Sequence, residues 1–179
     1  MKLSVITICY NDRNGLLKTL ESVKNQSSHD FQYIVIDGAS KDGSADLLTD
    51  YASVIDYSVS EADKGIYNAM NKGIREAKGE YSLFMNAGDT FYANDTIEKA
   101  FPLLDGTDFL SGDTYCVFPD GKSTVWKAVN NVTTYLMAIY SLSHQATFIK
   151  TELLKQRPYR EDLKVVSDWE QMFYELIIC

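Results

Sequence analysis

The sequence predicts an α/β fold, a three-layer, Rossmann-like α/β/α sandwich with a mainly parallel central sheet. Short apolar runs without charge recur along the first half of the chain and have the composition of strands buried on both faces. The segments between them carry apolar residues at helical spacing, so strands and helices alternate. A loop rich in polar residues follows each strand, and in parallel sheets such loops meet at the carboxyl edge, where ligands bind.

The elements of the first half can be assigned in order. Residues 3–10 form an uncharged apolar run that predicts a central strand. Asn11 and Asp12 follow it with side chains suited to capping a helix, which the apolar spacing predicts to end near Gln26. The alternation continues with strands predicted at 31–36, 54–59 and 81–85 and with helices around 47–51 and at 66–78.

The second half departs from this regular alternation. A helix is predicted at 96–104, and two strands, 109–118 and 123–128, are predicted to form a hairpin through the turn at 119–121. The stretch 165–179 predicts a last helix, which ends on apolar residues without a C-capping glycine. We therefore expect one domain over 1–179, cut short within its final helix.

Length and composition exclude several classes of protein. The chain has 179 residues, of which 45% are hydrophobic, enough for one sizeable core. Lys and Arg number 17 against 25 Asp and Glu, a net charge of -8 that argues against binding nucleic acid. No apolar run approaches the length of about 18 residues that a membrane span needs, so a cytoplasmic protein is expected.

The cysteines and histidines limit the metal chemistry. Cys9, Cys116 and Cys179 are an odd number without CxxC spacing, a pattern typical of a reducing compartment. The two histidines, His29 and His144, lie far apart in sequence, so a zinc site built from nitrogen and sulfur ligands is hard to form. A metal ion in this protein would be held by carboxylate oxygens.

Three of the loops that follow strands carry candidate ligand-binding residues. A carboxylate at Asp37 could accept hydrogen bonds from a flat donor such as a uracil or ribose edge, although Asp37 and Gly38 could equally be a turn. Asp89 suits Mg²⁺ or Mn²⁺ but also an ordinary turn. Lys64 stands just before a helix, where it could bind phosphate or simply be solvated.

Asp168 is the candidate general base, because it follows Ser167 at the predicted start of the last helix. The alternative makes Asp168 a first-turn acid favoured by the helix dipole and Trp169 an anchor in the core. The residues alone favour that alternative.

Four blocks of sequence in a fixed order resemble a known family. They are SVITICYN at 4–11, VIDGASKDGS at 35–44, SEADKGIYNAMNKG at 60–73 and NAGD at 86–89. In these blocks the chain is similar to the bacterial family two glycosyltransferases, which are nucleotide-diphospho-sugar transferases of the GT-A fold. The resemblance implies a GT-A-type sandwich in which 1–104 binds the donor and 105–179 forms the acceptor half.

The resemblance also implies roles for individual residues. Asp168 would be the catalytic base, and Asp89 with Asn86 would hold the metal ion, although Asn86 and Gly88 stand where the family commonly has Asp. The acceptor side would contain His144, Gln145 and Trp169. The donor would be bound by Thr7, Tyr10, Asn11, Asp37, Asp63, Lys64, Asn71 and Gly88.

The implied reaction is an inverting transfer of a hexosyl group from a nucleotide-diphospho-sugar, most simply a UDP-sugar, with Mg²⁺ or Mn²⁺ as cofactor. The acceptor would be a saccharide or a lipid-linked acceptor in cell-surface polysaccharide biosynthesis. Peripheral association with the inner face of the membrane and a homodimer are both compatible with that role.

The sequence also bears on three other functions. A module that binds a nucleotide sugar without turnover is suggested by the missing aspartates of the metal motif. A dinucleotide enzyme is disfavoured because no GxGxxG motif follows the first strand. A phosphatase or nucleotidyltransferase would need an acidic nucleophile motif or a glycine-rich basic loop near the N-terminus, and neither is present.

Overall fold

The computed structural model describes residues 1–129 and 131–178. Its first half alternates strands and helices in the predicted order. The strands are β1 (Leu3–Cys9), β2 (Gln32–Asp37), β3 (Tyr57–Ser60) and β4 (Tyr81–Asn86), and the helices between them are α1 (Arg13–Lys24), α2 (Ser44–Asp50) and α3 (Ile66–Glu76). Asp12 caps α1 as expected, because its side chain accepts a hydrogen bond from the backbone N–H of Gly15.

The second half adds short elements around the same sheet. They are α4 (Thr96–Ala100) with a 3₁₀ turn at Phe101–Leu103, β5 (Phe109–Ser111), β6 (Thr114–Val117), β7 (Ser123–Trp126), α5 (Thr134–Ile139), a 3₁₀ turn at His144–Ala146, β8 (Thr147–Lys150), α6 (Thr151–Gln156) and α7 (Ser167–Phe173). A π-helical turn, Tyr174–Ile178, follows α7. None of the described helices is both long and apolar enough to cross a membrane.

One six-stranded sheet, in the order β3-β2-β1-β4-β8-β5, contains strands from both halves of the chain. β1 pairs in parallel with β2 and with β4, and β2 pairs in parallel with β3. β8 pairs antiparallel with β4 and β5, so the sheet is mainly but not wholly parallel. β6 and β7 form a separate two-stranded hairpin.

Apolar residues cover both faces of the sheet. Leu16, Leu20 and Val23 of α1 pack on one face, together with residues of α2 and α4. Met70 and Ile74 of α3 pack on the other, together with residues of α5, α6 and α7. These two cores make the molecule the three-layer α/β/α sandwich that the sequence predicts.

Three predicted elements need correction. The strand predicted at 54–59 begins at Tyr57, because the backbone N–H of Val54 bonds Tyr51 O in a turn that follows α2. The strand predicted at 109–118 is two strands, because Gly112 N–H bonds Ala146 O at 2.7 Å and the chain leaves the sheet there. The helix predicted at 165–179 is α7 and the π-helical turn, and Cys179 lies outside the described residues.

The close contact of α3 with β1 generates a prediction about stability. A Cβ added at Gly73 would lie 2.4 Å from Cγ2 of the buried Ile6, so Gly73 lets the helix approach the strand. Helix propensity alone predicts that Gly73→Ala stabilises by about 1 kcal/mol. We expect the steric clash to win and the free energy of unfolding in urea to fall by about 1–3 kcal/mol.

The exposed Arg75 on the same helix provides the control. Arg75→Ala should change the free energy of unfolding by no more than about 0.5 kcal/mol. An unchanged or increased stability of Gly73→Ala would show that α3 does not pack against β1 as described.

Candidate active site

A cavity of about 610 Å³ lies at the carboxyl ends of β1, β2 and β4, beside the start of α3. This is the edge at which ligands bind in parallel α/β sheets. Its lining residues come from the ends of strands, from the loops that the sequence predicts to meet there and from the start of α3. They are Ile8, Cys9, Tyr10, Asp12, Gly38, Ala62, Asp63, Gly65, Ile66, Ala69, Asn86 and Ala87. We call it the donor cavity.

Asp37 lies fully buried at the end of β2 and does not itself line the donor cavity, although its neighbour Gly38 does. Its Oδ2 atom accepts hydrogen bonds from the Ser60 hydroxyl at 2.6 Å and from the Ser40 N–H at 3.0 Å. Its Oδ1 atom is buried and has no hydrogen-bond partner among the described residues. A buried carboxylate oxygen without a partner is unfavourable, so a ligand N–H or O–H that reached Oδ1 would gain a strong hydrogen bond.

The loops after β1 and β2 are tied to each other. Asn11, which has a positive φ of 50°, donates its backbone N–H to the Ser40 hydroxyl at 2.8 Å and accepts the Lys41 N–H at its Oδ1 atom, also at 2.8 Å. This crossed pairing fixes the loop that carries Tyr10, whose ring is 70% exposed on the cavity wall. Asn11 therefore shapes the cavity through the backbone, and Tyr10 offers an accessible aromatic surface.

Asp63 lines the donor cavity, but its carboxylate is already paired. Lys72 Nζ lies 2.5 Å from Asp63 Oδ1 and 2.9 Å from Glu61 Oε1. Partial burial alone would lower the pKa of Lys72, but the two carboxylates outweigh it and raise that pKa. Sequence reasoning missed Lys72, which holds the loop before α3 in place, whereas the predicted Lys64 is exposed and does not line the cavity.

Two residues predicted to bind the donor lie elsewhere. Thr7 is fully buried, and its hydroxyl shares a hydrogen bond with the Tyr33 hydroxyl at 3.0 Å. Asn71 donates to Tyr159 O and accepts the Tyr159 N–H, so it anchors the segment after α6 to α3. Both side chains are used by the fold, and neither lines the donor cavity.

The Asn86–Asp89 turn closes the end of β4. Asp89 Oδ2 accepts the Asn86 N–H at 2.9 Å, and burial raises the pKa of the Asp89 carboxyl. Gly88, with a φ of 99°, donates its N–H to the Thr19 hydroxyl. Gly88 and Asp89 both line a neighbouring cavity, whereas Asn86 lines the donor cavity. Asn86 Oδ1 is buried without a hydrogen-bond partner in the described part of the chain, so it is free to bind a ligand.

A chain of hydrogen bonds links this turn to the start of α7. Asn86 Nδ2 lies 3.2 Å from His144 Nε2, and His144 Nδ1 lies 3.0 Å from Asp168 Oδ2. The Tyr67 hydroxyl donates to Asp168 Oδ1 at 2.8 Å. Burial alone would raise the pKa of Asp168, but the hydrogen bonds from His144 and Tyr67 lower it. Asp168 is therefore ionised at neutral pH. Tyr67 lies in the block at 60–73, but the sequence assigns it no role.

His144, Gln145 and Asp168 line a second cavity of about 610 Å³, together with Trp126, Tyr140, Ser141, Leu142 and Ser143. We call it the acceptor cavity. Trp169, predicted to lie on the same side, packs away from it: its Nε1–H donates to Met137 O at 2.6 Å, and its ring lies 5.3 Å from that of Phe173. Trp169 is thus the core anchor that the alternative interpretation described.

Comparison with known proteins identifies the family of the chain. The model of a family described as Glycosyl transferase family 2 matches residues 4–161. An uncharacterized glycosyltransferase of Mycobacterium tuberculosis is 31% identical over 183 residues, which cover 99% of this chain and 70% of the relative. A PGL/p-HBAD biosynthesis glycosyltransferase of Mycobacterium bovis is 27% identical over 93% of this chain and 66% of its own length.

Solved structures share the fold. S. aureus TarS 1-349 superposes with a TM-score of 0.79 at 23% identity, over 97% of this chain and 55% of TarS 1-349. The mannosyltransferase PcManGT from Pyrobaculum calidifontis, solved with GDP-Man and Mn²⁺, gives a TM-score of 0.72 at 20% identity, over 95% of this chain and 50% of its own. The chain thus spans about half the length of these proteins. They confirm the GT-A-type sandwich. The family match, together with the 31% identical relative, shows that the chain belongs to glycosyl transferase family 2.

Proposed function

We propose that this protein transfers a sugar from a UDP-sugar to a hydroxyl of a saccharide or lipid-linked acceptor, with inversion at the anomeric carbon. The observation that carries the proposal is the donor cavity backed by the unpartnered Oδ1 of Asp37, which suits an N–H donor on a flat base such as uracil. Structures of TarS in complex with UDP and with UDP-GlcNAc support a uridine donor. Tyr10 and Asp63 would line the cavity that the donor occupies, and Asn11 would hold the loop that carries Tyr10.

Asn86 and Asp89 would hold a divalent cation, Mg²⁺ or Mn²⁺. The described residues contain no cluster of three or more His, Cys, Asp and Glu side chains, so most ligands would be diphosphate and water oxygens. The buried, unpartnered Oδ1 of Asn86 fits this role, because both ions prefer oxygen ligands. When bound, such a cation stabilises the negative charge of the leaving nucleoside diphosphate.

Asp168 would act as the general base. Its two oxygens accept hydrogen bonds from Tyr67 and His144, and each oxygen keeps a lone pair for an acceptor hydroxyl. Asp168 would take the hydroxyl proton while the acceptor oxygen bonds to the anomeric carbon and the bond from that carbon to the phosphate oxygen breaks. Attack from the face opposite the leaving group gives inversion.

The acceptor cavity would receive the acceptor. Trp126, 49% exposed on its wall, offers an aromatic face for the apolar side of a sugar ring, and Gln145 offers an amide for its hydroxyls. No Lys or Arg of the described chain is in this lining, which favours a neutral saccharide part of the acceptor. Assembly of cell-surface polysaccharide on the cytoplasmic side of the membrane is the setting that we propose for this reaction.

A nucleotide-sugar-binding module without turnover is the second candidate. The observation that favours it is the Asn86–Asp89 turn, in which Asp89 is the sole carboxylate. Such a module would bind UDP and would neither transfer nor hydrolyse the donor sugar.

The donor site can be tested by isothermal titration of UDP with and without Mn²⁺. Asp37→Asn should weaken UDP binding by about 10- to 100-fold, because a hydrogen bond to a charged group is lost. Asp30→Asn, at an exposed carboxylate, should bind UDP as the wild type does. Equal UDP affinities of the two variants would rule out Asp37 as the residue that binds the uracil base. UDP binding that does not depend on Mn²⁺ would argue against the metal site.

Asp168→Asn tests the base. We expect turnover, measured as release of UDP from a UDP-sugar, to fall by about 10²- to 10⁴-fold while UDP affinity stays unchanged. Asp162→Asn is the matched control, because Asp162 is an exposed carboxylate six residues earlier that pairs with Arg160. Full activity of Asp168→Asn would refute the assignment. A wild-type protein that binds UDP but turns over no UDP-sugar would support the binding module.

Trp126→Ala tests the acceptor cavity. Loss of the aromatic face should raise the acceptor KM about twofold to tenfold, because aromatic contacts contribute roughly 0.5–1.5 kcal/mol. The UDP-sugar KM should not change. Tyr135→Ala, at a 76% exposed ring on α5 outside the cavity lining, is the control. Steady-state kinetics in which the two variants behave alike would place the acceptor elsewhere.

A further inference from the structure

His144 makes one hydrogen bond with each ring nitrogen, and the two partners belong to different parts of the proposed site. Nδ1 lies 3.0 Å from Asp168 Oδ2, at the proposed base. Nε2 lies 3.2 Å from Asn86 Nδ2, at the proposed metal-binding turn. The ring is mostly buried, with its side chain 16% exposed, so neither contact competes freely with water.

The partners determine the form of the ring. Asp168 accepts a hydrogen bond and cannot donate one while ionised, so Nδ1 must carry the proton. Asn86 then donates through Nδ2 to an unprotonated Nε2, which leaves Asn86 Oδ1 as its unpartnered atom. The neutral Nδ1–H tautomer therefore satisfies both contacts at once.

We infer that His144 is a positioning residue for both the proposed base and the proposed metal-binding turn. This inference rests on the proposed function. Through Nδ1 it orients the Asp168 carboxylate toward the acceptor hydroxyl. Through Nε2 it holds the Asn86 amide in one orientation, with Nδ2 on His144 and with Oδ1 left as the atom that would bind a cation. Nothing else among the described hydrogen bonds fixes that amide side chain.

Two isosteric variants separate the two contacts. In His144→Asn the side-chain amide takes the place of Nδ1 and can still donate to Asp168, but it does not reach Asn86. In His144→Gln the amide takes the place of Nε2 and can accept from Asn86, but it no longer donates to Asp168. Tyr67→Phe is a control that removes the other hydrogen bond of Asp168 and leaves the contact with Asn86 intact.

The variants should differ in whether they lower kcat or weaken UDP binding. His144→Gln should lower kcat by about 10- to 100-fold, the effect of one hydrogen bond to a charged group, while Mn²⁺-supported UDP binding stays within about twofold of wild type. His144→Asn should keep kcat within a fewfold but weaken Mn²⁺-supported UDP binding by about 10- to 100-fold, as is usual for residues that orient metal ligands. Tyr67→Phe should affect kcat alone.

A spectroscopic measurement is independent of turnover. The chain contains two histidines, and His29 is exposed, so ¹⁵N-labelled histidine gives two resolvable rings. We expect the His144 ring to show the Nδ1–H tautomer in wild type, and the exposed His29 ring serves as the internal reference. An Nε2–H tautomer at His144 would overturn the inference even in a protein with no detectable transferase activity.

The kinetic outcomes are equally decisive. The inference would be wrong if His144→Asn and His144→Gln lowered kcat and UDP affinity in the same way, or if neither variant changed them. Either result would show that His144 only packs the loop. If wild type shows the Nδ1–H tautomer but neither binds UDP nor turns over any UDP-sugar, the proposed function fails while the hydrogen-bond arrangement stands.

Discussion

The parallel pairing of β1 with both β2 and β4 is the constraint on which the rest of the structure depends. All seven residues of β1 are buried, and its neighbours end in register with it: Cys9 is paired with Asp37 and Ile8 with Asn86. Three loops therefore leave the sheet at one edge, which creates the donor cavity. Parallel strands need crossover connections, which in this chain contain helices. Two of these helices, α1 and α3, pack on opposite faces of the sheet.

The acidic composition has a local explanation within that geometry. From the sequence, binding or catalytic roles are predicted for four carboxylates, Asp37, Asp63, Asp89 and Asp168. In the structure each of them has a different partner: Asp37 has two Ser residues, Asp63 has Lys72, Asp89 has a backbone N–H, and Asp168 has Tyr67 and His144. The site is thus a set of separately compensated groups in which only particular oxygen atoms remain open to a ligand.

The sequence predicts what depends on local pattern. Apolar runs and helical spacing locate β1 to β4 and α1 to α3, and polar residues after strands locate the loops of the donor cavity. The sequence does not predict features whose position or environment depends on tertiary contacts. The short β8 carries no signal by itself, because its pairing with β4 joins positions nearly seventy residues apart, such as Ser82 and Ile149. Thr7 has a polar side chain in a ligand-binding block, yet Tyr33 from β2 satisfies it inside the core.

Asn86 shows how such a contact changes the interpretation of a motif. From sequence alone, an amide where the family commonly has a carboxylate looks like a weakened metal site. A carboxylate at this position could not donate to His144 Nε2, so both ring nitrogens would face acceptors and each would need a proton. The amide lets a ring with a single proton satisfy both contacts, because Nδ2 donates to His144 while Oδ1 is left without a partner among the described residues. The amide is therefore compatible with the proposal that one side chain serves both the metal site and the base.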